Sequence, residues 1–303
     1  MKALMLAVAF GLVLAGPAPA AEAPPAPYKA VMEGAPGLPT HTIYRPEDLK
    51  ALGETRLPIV AWANGGCANR GDRFATFLTE IAAHGYLVVA IGPIAGPQPP
   101  PPSPPAPGGA IRMPDLNAPP QTTSSQLIDA IDWAIAENAR PGGPLHQRLD
   151  VKKVAVMGQS CGGLQAIEAS ADPRVSTTVV WNSGVLNTGP GGLPGAKVTK
   201  DSLKALHGPV AYISGDATDV AFPNANDDYA RLAGVPAFRG YEDGVGHGGT
   251  YAQPRGGAFG EVAVAWLAWQ LKGDQKGRTM FVGPACGLCT APSWHVSAKG
   301  LGD

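Results

Sequence analysis

Charge is scarce in this chain. Only 16% of its 303 residues are charged, and 23 Lys and Arg stand against 24 Asp and Glu, for a formal net charge of −1. A nucleic-acid partner calls for a basic stripe that offsets phosphate charge, so that class is excluded. Long apolar runs are missing too. The run Ala3 to Ala15 is shorter than the ~20 residues a membrane-spanning helix needs, and no later segment comes close. Cysteine is limited to four residues. What is abundant breaks regular structure: 40 Gly and 32 Pro make up nearly a quarter of the chain, close to the range where low-complexity disorder is the default. Against disorder stand 45% hydrophobic residues and the near-zero net charge, because unfolded chains lack apolar surface or carry a large net charge. The bulk of the chain should fold.

Residues 1–20 read as a secretory signal peptide: Lys2, the apolar run, then Ala18-Pro19-Ala20. The first cysteine after the run is Cys67, so lipid attachment at a new N-terminus is not expected. The mature protein is therefore expected to be secreted or periplasmic, without a membrane anchor. Residues 21–40 are expected to be a flexible mature N-terminus, and 273–303 a C-terminal tail. An oxidising compartment permits disulfides, and an even count lets every thiol pair. Cys286 and Cys289 form a CxxC in the tail. A zinc site would need two further ligands, and the only nearby candidate is His295, so a small structural disulfide is expected and no metal.

Between 41 and 272 strand-like and helix-like segments alternate. Leu57 to Ala63, Tyr86 to Ile91, Val151 to Met157, Val175 to Trp181, Val210 to Ser214 and Pro236 to Tyr241 read as strands. Phe74 to His84, a segment after Ser124 or Ser125, Gly162 to Ser170 and Ala258 to Leu271 read as helices. Near-continuous apolar strands separated by helices predict one α/β domain, a mostly parallel sheet covered on both faces. A Pro-rich insert, 93–120, leaves the sheet after the second of these strands. It should be extended, either as a rim beside a ligand site or as a tolerated insertion.

The strongest local signal is Gly158-Gln159-Ser160-Cys161-Gly162-Gly163, a GxSxG between a strand and a small-residue helix start. A nucleophile elbow turns the chain so tightly that the residues two before and two after the serine must be small. A serine hydroxyl needs a base. Of six histidines, His247 alone follows the last predicted strand in a glycine-flanked loop, Gly244 to Gly249, whereas His41, His84, His146, His207 and His295 lie elsewhere. The base needs an acid to orient it. Asp216 and Asp219 both follow the strand Val210 to Ser214; Asp219 is favoured because its loop can curl beneath the histidine, while Asp216 can cap the turn. A tetrahedral oxyanion needs two N–H donors, expected from Cys161 and from Gly66 in the loop after LPIVAWA. That placement puts Cys67 and Cys161 on opposite sides of one hole and predicts a disulfide between them, with two buried free thiols as the alternative.

With NGGC, GQSCGGL, GDATDVAFP and GVGHGGTY in this order, the run from Leu57 to about Leu271 resembles secreted α/β-hydrolases of the cutinase-like and polyester-hydrolysing group, and more broadly dienelactone-hydrolase-like folds. The resemblance implies an α/β-hydrolase fold and a cofactor-free, monomeric serine esterase acting on a small-molecule or polymeric ester. Ser160, Asp219 and His247 match nucleophile, acid and base, Gly66 and Cys161 match the oxyanion donors, and Trp181 matches a tryptophan lining the acyl subsite. Two positions depart from the polyester enzymes: Cys161 stands where they have Met, and Gly66 where they carry an aromatic. Lactone or peptide cleavage is the alternative on the same fold. A non-catalytic ligand-binding relative is the alternative class, and its sign would be a lost triad residue.

Overall fold

The computed structural model describes residues 25–96, 119–189 and 191–302. Residues 1–20, expected to be a signal peptide, and most of the Pro-rich insert lie outside the described residues. The strands are β1 (Ala30–Gly34), β2 (His41–Pro46), β3 (Leu57–Ala63), β4 (Leu87–Ile91), β5 (Leu149–Gln159), β6 (Val175–Trp181), β7 (Val210–Gly215), β8 (Ala237–Glu242) and β9 (Trp294–Lys299). They form one nine-stranded sheet in the order β1-β2-β4-β3-β5-β6-β7-β8-β9. From β4 to β8 every pairing is parallel; the pairs β1/β2, β2/β4 and β8/β9 are antiparallel.

Side-chain alternation explains the layers. Along β3, Val60 and Trp62 enter one core while Ile59, Ala61 and Ala63 enter the other; along β5, Ala155 and Met157 part in the same way from Val154 and Val156. Helices α1 (Ala75–Ala83) and α5 (Gly257–Lys272) cover the first face through Phe77, Phe259 and Trp266. Helices α2 (Ser125–Ala139), α3 (Cys161–Ala169) and α4 (Phe222–Arg231) cover the other through Leu127, Ile131, Leu164, Ile167 and Ala225. Each fully buried side chain of this size contributes roughly 1.5–3 kcal/mol. The fold is thus an α/β sheet with helices on both faces, as the alternation predicts.

The folded unit extends past 41–272 at both ends. Residues 30–34, expected to be flexible, form β1 and pair with β2 from Ala30↔Pro46 to Gly34↔Thr42. Their side chains are only partly buried, so no apolar run announces the strand; backbone pairing with the open edge of β2 makes it. The expected C-terminal tail likewise packs. It forms two short helices, α6 (Gln275–Arg278) and α7 (Gly287–Thr290), and then β9, while Phe281, Cys286, Leu288 and Trp294 join the α1/α5 core. Helix α4 is a further addition to the predicted elements: its polar sequence, Phe222–Arg231, buries only Ala225 and Asp228, too little of an apolar stripe to announce a helix. Both stems of the insert are tied to the loop after β3: Gly71 N–H donates to Pro93 O (3.0 Å), and Thr122 Oγ1 donates to Cys67 O (2.9 Å). No helix among the described residues is long and apolar enough to cross a membrane.

Candidate active site

Strand β5 ends in the middle of the sheet and hands the chain straight to α3, with Ser160 at the joint. Its backbone, φ 55° and ψ −120°, lies where a residue with a Cβ sits only if its surroundings compel it. The surroundings do. A Cβ on Gly158 would run into Gly162 O, and one on Gly162 into Ala63 O on β3. Hydrogen bonds then hold the turn: Ser160 N–H donates to Trp181 O (2.9 Å), and Ser160 O accepts from Ser183 Oγ (2.6 Å) and from Gly163 N–H (2.9 Å).

His247 arrives from the loop between β8 and α5. Its Nε2 lies 2.9 Å from Ser160 Oγ, and its Nδ1 lies 2.6 Å from Asp219 Oδ1. An ionised carboxylate only accepts, so the proton belongs on Nδ1 and the Nε2 lone pair faces the serine hydroxyl. The imidazole is partly exposed while the Asp219 carboxylate is buried. Two carbonyls of this loop are pinned by side-chain amides: Gln159 Nε2 donates to His247 O (3.1 Å) and Asn182 Nδ2 to Gly246 O (3.3 Å).

Asp219 lies on the turn after β7. Besides His247, Ala221 N–H donates to its Oδ1 (2.9 Å) and Asn182 Nδ2 to its Oδ2 (2.8 Å). Burial by itself would push this carboxyl up; the hydrogen bonds from His247, Ala221 and Asn182 outweigh it and hold the group below the usual carboxylate range. Asp216, the competing acid, is spent elsewhere. Its Oδ1 accepts from Thr218 Oγ1 (2.6 Å) and Thr218 N–H (2.9 Å), and its Oδ2 from Gly244 N–H (2.9 Å), which ties the acid loop to the base loop. Those bonds, the Thr218 hydroxyl foremost, depress its pKa. Among the other histidines, His41, His84, His207 and His295 bond Gln126 O, Glu80, Val175 O and Asp243 respectively.

The loop after β3 makes a tight turn over Gly65–Cys67, in which Gly66 (φ 67°) and Cys67 (φ 46°) are both left-handed. Cys67 is joined to Cys161 by a disulfide, with Cα atoms 5.2 Å apart. The two expected oxyanion donors, Gly66 N–H and Cys161 N–H, thus belong to segments that are covalently linked. Gly65 leaves room for Gln159, whose Oε1 would collide with a Cβ there. The second predicted disulfide, Cys286–Cys289, is also present.

Trp181 does not line an open subsite. It is fully buried, and its ring packs against Phe77 (5.3 Å between centroids), Phe259 (5.6 Å) and Tyr251 (6.2 Å). The pleat of β6 turns this side chain onto the α1/α5 face, beneath the Ser160 turn. Its carbonyl reaches the site instead, as the acceptor for Ser160 N–H. Sequence reasoning missed four neighbours, Gln159, Asn182, Ser183 and Tyr251. A polar Asn-Ser directly after a buried strand, at the edge where the elbow lies, was the available signal for two of them. Among the described residues no cluster of His, Cys, Asp or Glu could hold a metal ion. No family model and no curated protein matches the chain.

Proposed function

We propose that this chain is a secreted or periplasmic serine hydrolase of the α/β-hydrolase fold, and that it cleaves a carboxylic ester through an acyl-enzyme. The observation that carries the reading is the relay itself: Ser160 Oγ 2.9 Å from His247 Nε2, and His247 Nδ1 2.6 Å from a buried Asp219, with the serine on a strained strand-to-helix turn. The sheet order, parallel from β4 to β8 behind an antiparallel N-terminal pair, and the chain order Ser, Asp, His support the fold assignment. The Cys67–Cys161 and Cys286–Cys289 disulfides support an oxidising compartment.

In this reading Ser160 Oγ attacks the ester carbonyl as His247 Nε2 takes its proton. The carbonyl π electrons move to oxygen, and the N–H groups of Gly66 and of Cys161, at the start of α3, would donate hydrogen bonds to that oxyanion. Collapse breaks the bond to the alcohol, which leaves with the proton from His247. A water, deprotonated by the same nitrogen, then releases the acid and restores Ser160. Asp219 keeps the imidazole in its working tautomer and offsets the imidazolium charge. The cycle involves no net oxidation or reduction and consumes the ester and one water. Neither buried Trp181 nor Gly66 provides an aromatic wall, so the reading carries no preference for aromatic polyesters.

Labelling with a fluorophosphonate tests the proposal, alongside hydrolysis of p-nitrophenyl esters and matched anilides. Wild type should be labelled at Ser160 and turn over esters faster than anilides, and Ser160→Ala should lose both activities. Labelling that survives in Ser160→Ala refutes the assignment, and faster anilide turnover replaces the esterase reading with a peptidase one.

A further inference from the structure

Three consecutive residues at the end of β6 hold the nucleophile and the acid together. Trp181 O accepts from Ser160 N–H, Ser183 Oγ donates to Ser160 O, and between them Asn182 Nδ2 donates to Asp219 Oδ2 at 2.8 Å. Asn182 is fully buried, and its φ of 41° is a left-handed conformation that asparagine tolerates better than most residues. Its own N–H donates to Ile213 O (2.7 Å), which fixes the residue to the end of β7, just before the acid loop.

The orientation of the Asn182 amide is not self-evident, because its nitrogen and oxygen are nearly the same size. Its Nδ2 faces two acceptors, Asp219 Oδ2 and Gly246 O, and its Oδ1 receives the Tyr251 hydroxyl. A flipped amide would set its oxygen against both acceptors and leave the hydroxyl without one. Burial first, and the nearby Asp219 charge second, push the Tyr251 phenol well above its ordinary pKa, so it stays a neutral donor. Tyr251 follows His247 by four residues and is buried among Trp62, Phe74, Phe77, Trp181 and Phe259. The same amide therefore touches the acid, the residue before the base, and a tyrosine carried by the base's own loop.

We propose that Asn182 is a positioning residue of the triad, and that the Tyr251 hydroxyl locks its amide with the donors toward Asp219. The inference rests on the triad reading above. With Asn182 in place, Oδ2 is occupied and Oδ1, which also accepts from Ala221 N–H, faces His247 Nδ1. Without it Oδ2 loses its donor, and the carboxylate charge, less shared, holds the imidazolium more firmly. The other titratable groups near the pair are Arg239 on β8, which feels the Asp219 charge, and exposed Asp216, bonded to Gly244 N–H. Neither contacts the amide.

Asn182→Gly removes the side chain while tolerating the left-handed backbone, and Tyr251→Phe removes only the hydroxyl from a packed ring. Each is assayed against wild type on p-nitrophenyl acetate, with kcat expressed per fluorophosphonate-labelled site so that unfolded protein does not count. Losing a hydrogen bond to a charged group should lower kcat of Asn182→Gly by about 10-fold or more, and losing the lock should lower that of Tyr251→Phe by about 3-fold. KM should stay as in wild type in both, and the acid-side midpoint of kcat/KM should move to higher pH. Wild-type kcat per labelled site with an unmoved acid limb in Tyr251→Phe, which keeps the ring packing, overturns the proposal even if Asn182→Gly fails to fold. If wild type is not labelled at Ser160, the triad reading falls and the relay falls with it; if it is labelled and the limb does not move, the relay alone falls.

Discussion

At Ser160 the strain of a left-handed serine is held in place by hydrogen bonds to β6 and by glycines that let three backbones meet. Gly158 and Gly162 are equally hard to replace, because each missing Cβ faces backbone, Gly162 O and Ala63 O respectively, which cannot swing away as a side chain could. Gly162→Ala should therefore cost about 3 kcal/mol or more, read from the urea midpoint, against well under that for an exposed glycine-to-alanine change. Asp219 makes a different prediction. Asp219→Asn should keep the fold and lower kcat on the order of 10⁴-fold, because an amide at this position favours the wrong imidazole tautomer. Its pH signature has a definite sign. The folded pKa of Asp219 is depressed despite burial, so its hydrogen bonds add stability above the unfolded value of about 3.9, and that stability is lost as pH falls through the lower folded value. The stability advantage of wild type over Asp219→Asn should be flat from neutral pH to about pH 5 and shrink below about pH 4. A gap that instead widens in acid would contradict the depressed carboxyl.

Among the elements, the ends of β5, β6, β7 and β8 matter most, because all four deliver parts of the site to the same edge of a parallel sheet. β5 leads to Ser160, the proposed nucleophile, β6 to the clasp of Trp181 to Ser183, β7 to the loop of Asp219, the proposed acid, and β8 to the loop of His247, the proposed base. Parallel strands place all their C-terminal ends on one side, which is why residues so far apart in sequence converge there. The opposite contribution comes from β9, which carries no catalytic group. It pairs along the whole of β8, from Ala237↔Lys299 to Glu242↔Trp294, and with Phe281 and Leu288 it closes the core beneath α5. Ending the chain at Lys272 would expose the β8 edge and that apolar surface together. Such a truncated protein is expected to lose its cooperative unfolding transition and to aggregate, as monitored by circular dichroism and light scattering, although no proposed catalytic residue is deleted.

Across the whole molecule the two disulfides differ in what they constrain. Cys67 and Cys161 are 94 residues apart, Cys286 and Cys289 only three. Loop-closure entropy assigns about 4.7 kcal/mol to the first and about 2 kcal/mol to the second. Replacing Cys67 and Cys161 by serine should therefore lower stability by more than replacing Cys286 and Cys289. It should also lower kcat, since the bridge links the Gly66 turn to the residue after the nucleophile. Denaturation midpoints and ester turnover of the two double variants check both statements. Much of this arrangement was legible in the sequence. Small residues at 158 and 162 around a serine, a histidine among glycines after the last apolar strand, and an aspartate after the strand before it are local patterns, set by the steric demands of tight turns and by the 2.0 and 3.6 residue periods. The cysteine pairing followed from the same placement. What local pattern does not carry is pairing and direction. β1 and β9 form because open sheet edges need backbone partners, and neither shows an apolar run long enough to announce a strand. Trp181 is apolar and ends a strand in either reading, and only the pleat of the assembled sheet decides that its ring enters the core while the next residue, Asn182, reaches Asp219. Tyr251 finds that amide across 69 residues of chain. The sequence by itself determined which residues can do the chemistry; tertiary structure decided which of them meet, because contacts between distant segments depend on strand order and side-chain facing that no short window contains.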